Sequence, residues 1–112
     1  MHMIEAIIKP SSIEAVKSKL AQIGVLGMTA IECKGYGKQK GHTERYRGGR
    51  MDVGFVPKAM LKIAVRSEDL DKAVESITSA ARTGNVGDGK LFVYPIEKVV
   101  RIRTGEADND AL

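Results

Sequence analysis

The stretch IEAIIKPSSIEAVKSKLAQI, residues 4–23, recurs as a pattern 57 positions later in LKIAVRSEDLDKAVESITSA, residues 61–80. Each copy starts with a short run rich in β-branched residues and continues with apolar residues at helical spacing. The two apolar stripes comprise Ile13, Val16, Leu20 and Ile23 in the first copy, and Leu70, Ala73, Ile77 and Ala80 in the second. We therefore predict an internal duplication of one strand–helix–strand unit.

A further strand is predicted to close each copy: MTAIECKGY at residues 28–36 and KLFVYP at residues 90–95. Residues 11–14, SSIE, have the form of a capping box that would begin the first helix. Two successive units of this size predict an α+β fold, a ferredoxin-like βαββαβ sandwich with both helices on one face of the sheet. After the sandwich, VVRIR at residues 99–103 is predicted to form a C-terminal strand.

The composition favours a single domain spanning residues 1–112, because 43% of the 112 residues are hydrophobic and domains of this size are common. No run approaches 18 apolar residues and the N-terminus lacks a signal-type pattern, so we expect a soluble protein of the cytoplasm. The net charge of +4 is small, and the surplus cations are concentrated in one long loop and in the VVRIR segment. This distribution favours a local anionic ligand over a broad electrostatic surface.

The predicted strands carry apolar residues on both faces. Leu91 and Val93 point one way, whereas Phe92 and Tyr94 point the other. Two helices cover only one face of a sheet, so another surface must cover the second face. We predict that other copies of the chain do so in a closed homo-oligomer, and an extra hairpin over the exposed face is the alternative.

Between the two copies lies KGYGKQKGHTERYRGGRMDVGFVPK, residues 34–58, which is too polar and glycine-rich to pack as a helix or strand. It contains six of the 12 glycines of the chain and seven lysines and arginines. Loops longer than about 12–15 residues are uncommon in compact domains and are usually functional. We predict that this loop carries the function.

Three groups of residues have the composition of an anion site. GDGK at residues 87–90 lets backbone amides converge beside a lysine, although an ordinary hairpin would use the same turn. RIR at residues 101–103 would place two guanidinium groups on one face of a strand with the isoleucine turned inward, unless these are edge-strand charges. Residues 35–41 interleave glycines with cations, and Gln39 adds an oxygen suited to a hard metal ion. Together they predict a nucleotide triphosphate pocket without the P-loop spacing.

A catalytic role is not indicated. His2 lies at the terminus and His42 in the loop, and neither has a serine, cysteine or carboxylate at a spacing that indicates a triad or metal set. We expect that the protein is not an enzyme.

The motifs resemble those of the PII nitrogen-regulatory signal-transduction proteins over essentially the whole chain. The resemblance is carried by IIKP (7–10), GMT (27–29), KGYGKQKGHTERYRG (34–48), FVPK (55–58), AARTGNVGDGKLFV (80–93) and VRIRTGE (100–106). It implies a homotrimer of ferredoxin-like subunits that binds ATP or ADP in clefts between neighbours. It also implies sensing of 2-oxoglutarate, usually with Mg²⁺ and ATP, and control of proteins through a flexible T-loop, at about residues 37–56 here.

The resemblance also implies roles for single residues. Nucleotide binding is implied for Ile7, Gly27, Met28, Thr29, Gly35, Gly37, Lys38, Gln39, Ala64, Gly87, Asp88, Gly89, Lys90, Arg101 and Arg103. Binding of 2-oxoglutarate is implied for Lys9, Gly37, Gln39, Lys40, Gly41, Lys58 and Gly87. Gln39 would also touch Mg²⁺, and Arg47 would contact a partner protein such as an ammonium channel.

The chain departs from the family pattern at the tip of the loop. Many relatives have a modifiable tyrosine at position 51 and some a phosphorylated serine at position 49, whereas this chain has Met51 and Gly49. We therefore predict control without tyrosine modification. The regulated protein would be an ammonium channel, a metabolic enzyme or a regulator, and a membrane would be reached only through a channel or transporter.

Two alternatives stay open. The chain would otherwise be a PII-like adaptor that binds adenine nucleotides but senses a different small molecule or regulates a transporter. A nucleic-acid-binding module is the other, since six cations lie between Lys34 and Arg50. Only Tyr36 and Tyr46 interleave these cations and they form no continuous stripe, so we expect no nucleic acid partner.

Overall fold

The computed structural model describes residues 1–37 and 54–112, and in them the chain forms two α-helices and a four-stranded sheet. The elements are β1 (His2–Ile8), α1 (Ile13–Gln22), β2 (Thr29–Gly35), β3 (Val56–Val65), α2 (Leu70–Ala81) and β4 (Gly89–Pro95). The strands are all antiparallel to their neighbours, in the order β2-β3-β1-β4. This confirms the predicted α+β, ferredoxin-like sandwich.

The core lies between the helices and one face of the sheet. Along β1 the even-numbered residues from Ile4 to Ile8 are buried, and along β3 the odd-numbered residues from Ala59 to Val65 are buried. Val16 and Leu20 of α1 and Ile77 of α2 pack against them. Period-two burial on the strands and period-3.6 burial on the helices thus meet in one cluster, as the sequence pattern predicts.

The two copies of the duplicated unit are built alike down to their turns. A 3-10 helix connects strand to helix in each copy, at Pro10–Ser12 and at Ser67–Asp69, which are 57 positions apart. The residues before these turns are both extended, with φ and ψ of −67° and 140° at Lys9 and −71° and 152° at Arg66. Equivalent residues therefore adopt equivalent conformations, which supports the predicted duplication.

The predicted capping box at residues 11–14 is wrong. Helix α1 begins at Ile13, and its N-cap is Ser12, whose side chain makes no capping hydrogen bond. The preceding 3-10 turn already gives Ser12 a near-helical conformation, with φ −91° and ψ −7°, whereas a capping serine needs an extended one. The Ser12 amide instead donates to the carbonyl of Lys9 at 2.9 Å.

The predicted C-terminal strand at residues 99–103 is also wrong in this chain. Among residues 1–37 and 54–112, the segment forms one isolated bridge, between Val100 and Ala107. Gly105, with φ +77°, reverses the chain, so the Arg101 amide donates to the carbonyl of Glu106 at 2.9 Å. As a result Ile102 is 97% exposed instead of turned inward.

The second face of the sheet is open in the described residues. Phe92 and Tyr94 of β4 remain 49% and 39% exposed, and Ile31 of β2 is exposed as well. We call this the open face; it is formed by the side chains of β1 to β4 that point away from the helices. The described residues contain no helix long and apolar enough to cross a membrane.

The predicted loop lies mostly outside the described residues. The strand before it, β2, ends at Gly35, and the strand after it, β3, begins at Val56. The predicted ligand or partner residues outside the described ranges are Lys38, Gln39, Lys40, Gly41 and Arg47.

Candidate functional site

The segment that follows α2 folds back on a single carboxylate. Asp88 accepts hydrogen bonds from the Thr83 hydroxyl, from the Thr83 amide at 2.7 Å and from the Gly84 amide at 2.9 Å. The Thr83 hydroxyl and then these amides hold the pKa of Asp88 well below its usual range, because they stabilise the ionised form. We call residues 83–89 the glycine loop. Its carboxylate points into the loop, so it shapes the loop from within.

Two lysines contact the glycine loop, one just after β1 and one on β3. The Lys9 ammonium, just after β1, lies 3.4 Å from the Asp88 carboxylate. The Lys58 ammonium, on β3, donates to the carbonyl of Gly87 at 2.7 Å. Lys58 is only 8% exposed, and burial lowers its pKa, with a further lowering from the nearby charge of Lys9. This ammonium is nearly buried and donates to a neutral carbonyl, so an anionic ligand beside it would stabilise its charged form.

Gly89 lets the glycine loop join the sheet. Its φ is +108°, and a Cβ at this position would lie 1.9 Å from the carbonyl oxygen of Ile7. Only glycine allows this close approach of β4 to β1. Lys90, the second residue of β4, therefore lies directly opposite Ile7.

A cleft of about 520 Å³ opens beside the glycine loop. It is lined by Ile7, Gly35, Tyr36, Gly37, Lys58, Val86, Gly87, Gly89, Lys90 and Phe92. Seven of these residues are among the predicted ligand residues, so the structure brings these seven together in one cleft. We call it the glycine-loop cleft. Two lysines and glycine backbone suit phosphate or carboxylate groups, and the apolar walls suit a planar ligand.

The aromatic walls of this cleft, Tyr36 and Phe92, were not predicted from the sequence. Tyr36 packs on Phe55 with ring centroids 5.8 Å apart, and both rings remain exposed. Phe92 was predicted on the open face but not in a ligand cleft. The available signal was the position of Tyr36 between two glycines of the predicted phosphate segment.

A second cleft, of about 790 Å³, lies at the other end of the strands. It is lined by Met3, Gly24, Val25, Leu26, Gly27, Met28, Thr29, Lys62, Ala64, Val65, Arg66, Asp69, Val99, Arg101, Ala111 and Leu112. Five of them, namely Gly27, Met28, Thr29, Ala64 and Arg101, are predicted nucleotide residues. We call it the far cleft. Arg101 pairs there with the Glu106 carboxylate and donates to the Ala111 carbonyl at 3.3 Å.

The structure does not bring the two sets of predicted residues together in one chain. Met3 pairs with Ala64 in the far cleft, and Ile7 pairs with Met60 at the glycine-loop cleft. Four residues of extended strand separate the two positions, which is about 13 Å. Arg103 lies on the exposed turn after Arg101 and borders neither cleft as far as the described residues show.

Comparisons with known proteins identify the relatives of this fold. The family model described as "Nitrogen regulatory protein P-II" matches residues 1–106. The chain belongs to the P-II family. The P-II protein of Rhizobium etli is 54% identical to it over 112 residues, and the match covers all of both chains. The P-II protein of Pasteurella multocida is 50% identical, and the P-II 1 protein of Escherichia coli is 48% identical, again over both full chains.

Membership in the P-II family confirms two predictions. The resemblance found in the sequence motifs is correct, and the protein belongs to a family of nitrogen regulatory signalling proteins rather than enzymes. The ligand roles of single residues stay predictions. The geometry adds that Asp88 and Lys9, two of the predicted ligand residues, already engage each other inside the glycine loop.

Proposed function

We propose that this P-II protein reports nitrogen and carbon status by binding ATP or ADP together with 2-oxoglutarate in clefts between copies of the chain. It then regulates another protein through the loop at residues 37–56, without tyrosine modification. It acts in the cytoplasm on an ammonium channel, a metabolic enzyme or a regulator.

The observation that carries this proposal is the division of the predicted nucleotide residues between two separate clefts. Phosphates suit the glycine-loop cleft, with its lysines and glycine backbone, and a base suits the Gly27–Thr29 side of the far cleft. A nucleotide that contacts both sets needs the glycine-loop cleft of one copy and the far cleft of the next. A ring of three copies supplies three such composite sites, and the open face supplies apolar surface for the ring to bury.

The effector is assigned to the glycine-loop cleft by charge. Among the described residues, the Lys58 ammonium donates to the neutral Gly87 carbonyl, and a carboxylate of 2-oxoglutarate would add a directly bonded partner of opposite charge. Lys9 stands nearby as a second cation. Binding of the dianion at this end of β3 would bias the loop that leaves β2 and enters β3, which is the physical basis of the switch.

Mg²⁺ fits the donor set in a limited way. In residues 1–37 and 54–112 no three His, Cys, Asp or Glu side chains cluster as a metal site. Gln39 would be the protein ligand of the ion, beside oxygens of the nucleotide phosphates and of 2-oxoglutarate. Bound there, it would neutralise the phosphates and make binding of the dianion beside them less repulsive.

Titration calorimetry tests this proposal. Wild-type protein is titrated with ADP, with ATP and Mg²⁺, and with 2-oxoglutarate before and after ATP and Mg²⁺. We expect 2-oxoglutarate to bind only after ATP and Mg²⁺. Lys58→Met and Gln39→Ala should each weaken 2-oxoglutarate binding at least about ten-fold while ADP binding changes by less than about three-fold. Lys17→Met, at an exposed ion pair of α1, is the matched control and should change neither.

Three results would contradict the proposal. Absence of any adenine nucleotide binding would overturn it as a whole. Nucleotide binding without 2-oxoglutarate binding would overturn the effector and favour an adaptor that senses a different small molecule. Equal losses for ADP and 2-oxoglutarate in Lys58→Met would overturn the role given to that lysine.

A further inference from the structure

A polar trio occupies the middle of the open face, on three neighbouring strands. Glu5 of β1 accepts a hydrogen bond from the Tyr94 hydroxyl of β4 at 2.7 Å. The Lys62 ammonium of β3 lies 3.2 Å from the same carboxylate oxygen, Oε2. None of the three residues belongs to the motifs that carry the P-II resemblance, although Lys62 also lines the far cleft.

Apolar side chains surround the trio. On the same face of β1, Glu5 stands between Met3 and Ile7, and Phe92 is its neighbour on β4. On β3, Met60 precedes Lys62 on this face. An ion pair exposed to water contributes little, about 0–1 kcal/mol, but a surface that covers these apolar groups also removes the water from the charges beside them.

The trio is only partly satisfied within the chain. An ammonium has three donors and a carboxylate has about four acceptor positions. In the described part of the chain, the Lys62 ammonium pairs only with Glu5, and both contacts of the Glu5 carboxylate are made by its Oε2 atom. A covering surface must therefore offer an acceptor to Lys62 and a donor to Glu5, because buried charges without partners are strongly unfavourable.

A second copy of the chain meets this requirement. Its own open face carries the same carboxylate and the same ammonium, side by side in directly paired residues, so it is complementary in charge to itself. A purely apolar surface would leave both charges unpaired. A uniformly acidic or basic surface would satisfy one charge and repel the other.

We propose that the Glu5–Lys62–Tyr94 trio selects identical copies for the open face, with the charges of one trio paired against those of the neighbouring copy. The inference rests on the homo-oligomer in the proposed function and adds what determines its specificity. Tyr94 orients the carboxylate, and Glu5 and Lys62 make the contacts between copies.

Charge reversal separates pairing between copies from pairing within one copy. Glu5→Lys and Lys62→Glu are made separately, one of them is labelled with nitrogen-15, and both are examined by native mass spectrometry without nucleotide. Each variant alone places like charges on the open face and should assemble more weakly. The protein concentration at which its oligomer dissociates should rise at least about ten-fold. The mixture should form mixed oligomers, because each variant supplies the charge that the other has lost. Glu14→Lys mixed with Lys17→Glu makes the same exchange at an exposed pair of α1 and should assemble like wild type throughout.

The outcomes distinguish this inference from the function on which it rests. A monomeric wild-type protein overturns the homo-oligomer itself. Single variants that assemble like an oligomeric wild type overturn the trio as a determinant. Variants that stay monomeric in the mixture, with circular dichroism showing native helix content, show that the charges act only within one chain and overturn the inference.

Neutral variants cover the case in which charge reversal prevents folding. Glu5→Gln and Lys62→Met remove the charges without creating repulsion within the chain. Each should fold and assemble with a dissociation concentration raised at least about three-fold, since one buried charge of the neighbouring copy loses its partner. Unchanged assembly in both would overturn the inference.

Discussion

Replacement of Gly89 by alanine tests the geometry that joins the glycine loop to the sheet. The new Cβ would lie 1.9 Å from the carbonyl oxygen and 2.9 Å from the carbonyl carbon of Ile7. Both are backbone atoms of the adjacent strand, so no rotamer change relieves the overlap. The start of β4 must move away from the end of β1.

The cost of this movement follows from two contributions. In a residue with a Cβ, a backbone conformation with positive φ, such as the +108° of Gly89, costs roughly 1–2 kcal/mol of conformational free energy. Separating the strand ends breaks about two backbone hydrogen bonds around the pairs Ile8–Gly89 and Ile7–Lys90, at roughly 1 kcal/mol each. We expect Gly89→Ala to lower the free energy of unfolding by about 3–4 kcal/mol.

Gly105 offers a matched control. Its φ of +77° is also left-handed, but a Cβ there has nothing within 4 Å. Gly105→Ala therefore pays only the conformational cost of about 1–2 kcal/mol. The difference between the two variants, about 2 kcal/mol, isolates the close approach of β4 to β1.

Urea and thermal unfolding at one protein concentration provide the measurement, because the apparent stability of any self-associating protein depends on its concentration. At roughly 4 °C per kcal/mol for a chain of this size, Gly89→Ala should lower Tm by about 15 °C and Gly105→Ala by about 5 °C. A loss at Gly89 no larger than that at Gly105 would refute the argument from strand contact.

Three further predictions concern contacts in and around the site. Thr83→Val should weaken ADP binding several-fold, because the Asp88 carboxylate loses the Thr83 hydroxyl as a donor, whereas Thr83→Ser should preserve binding. Equal affinities of the two variants in an ADP titration would count against a dependence of the glycine loop on this hydroxyl. A double-mutant cycle of Tyr36→Leu and Phe55→Leu should give a coupling of about 0.5–1 kcal/mol in urea unfolding, and additive effects would exclude a stabilising ring contact. Tyr94→Phe should raise the pKa of Glu5, because the Tyr94 hydroxyl is the largest cause of its lowering. A lowered pKa gives stability that is present above the unfolded value of about 4.3 and lost as pH falls through the folded value, so the variant should lose it at higher pH. Carbon-13 NMR of the carboxyl group measures this, and an unchanged titration would be inconsistent with the hydrogen bond.

Local sequence patterns predicted the fold because burial follows the periods of helix and strand. The stripe that includes Ala73 and Ile77 lies in the core, as its spacing indicates. The same patterns gave a wrong prediction for the VVRIR segment, because its apolar and charged residues alternate as they would in a strand. There the left-handed Gly105 and the contacts of Glu106 turn the chain back, and alternation carries no information about such a reversal.

The candidate site was predicted only in composition. The GDGK turn indicated an anion site, but its pattern could not show that Asp88 accepts bonds from residues four and five positions earlier. That arrangement depends on the path of the loop. Similarly, the contact of Glu5 with Tyr94 crosses from β1 to β4 over 89 positions, so it depends on strand register and not on local spacing.

The position of the long loop at the junction of the two duplicated halves has an evolutionary consequence. Its flanking strands, β2 and β3, are paired continuously from Thr29–Lys62 to Gly35–Val56, so the fold fixes where the loop leaves and returns. Substitutions between those points leave the sequence of both apolar stripes of the duplicated unit unchanged. Under the proposed function, the part of the loop that contacts the regulated protein is therefore free to change in sequence with that protein, while the helices and strands stay under the separate constraint of folding.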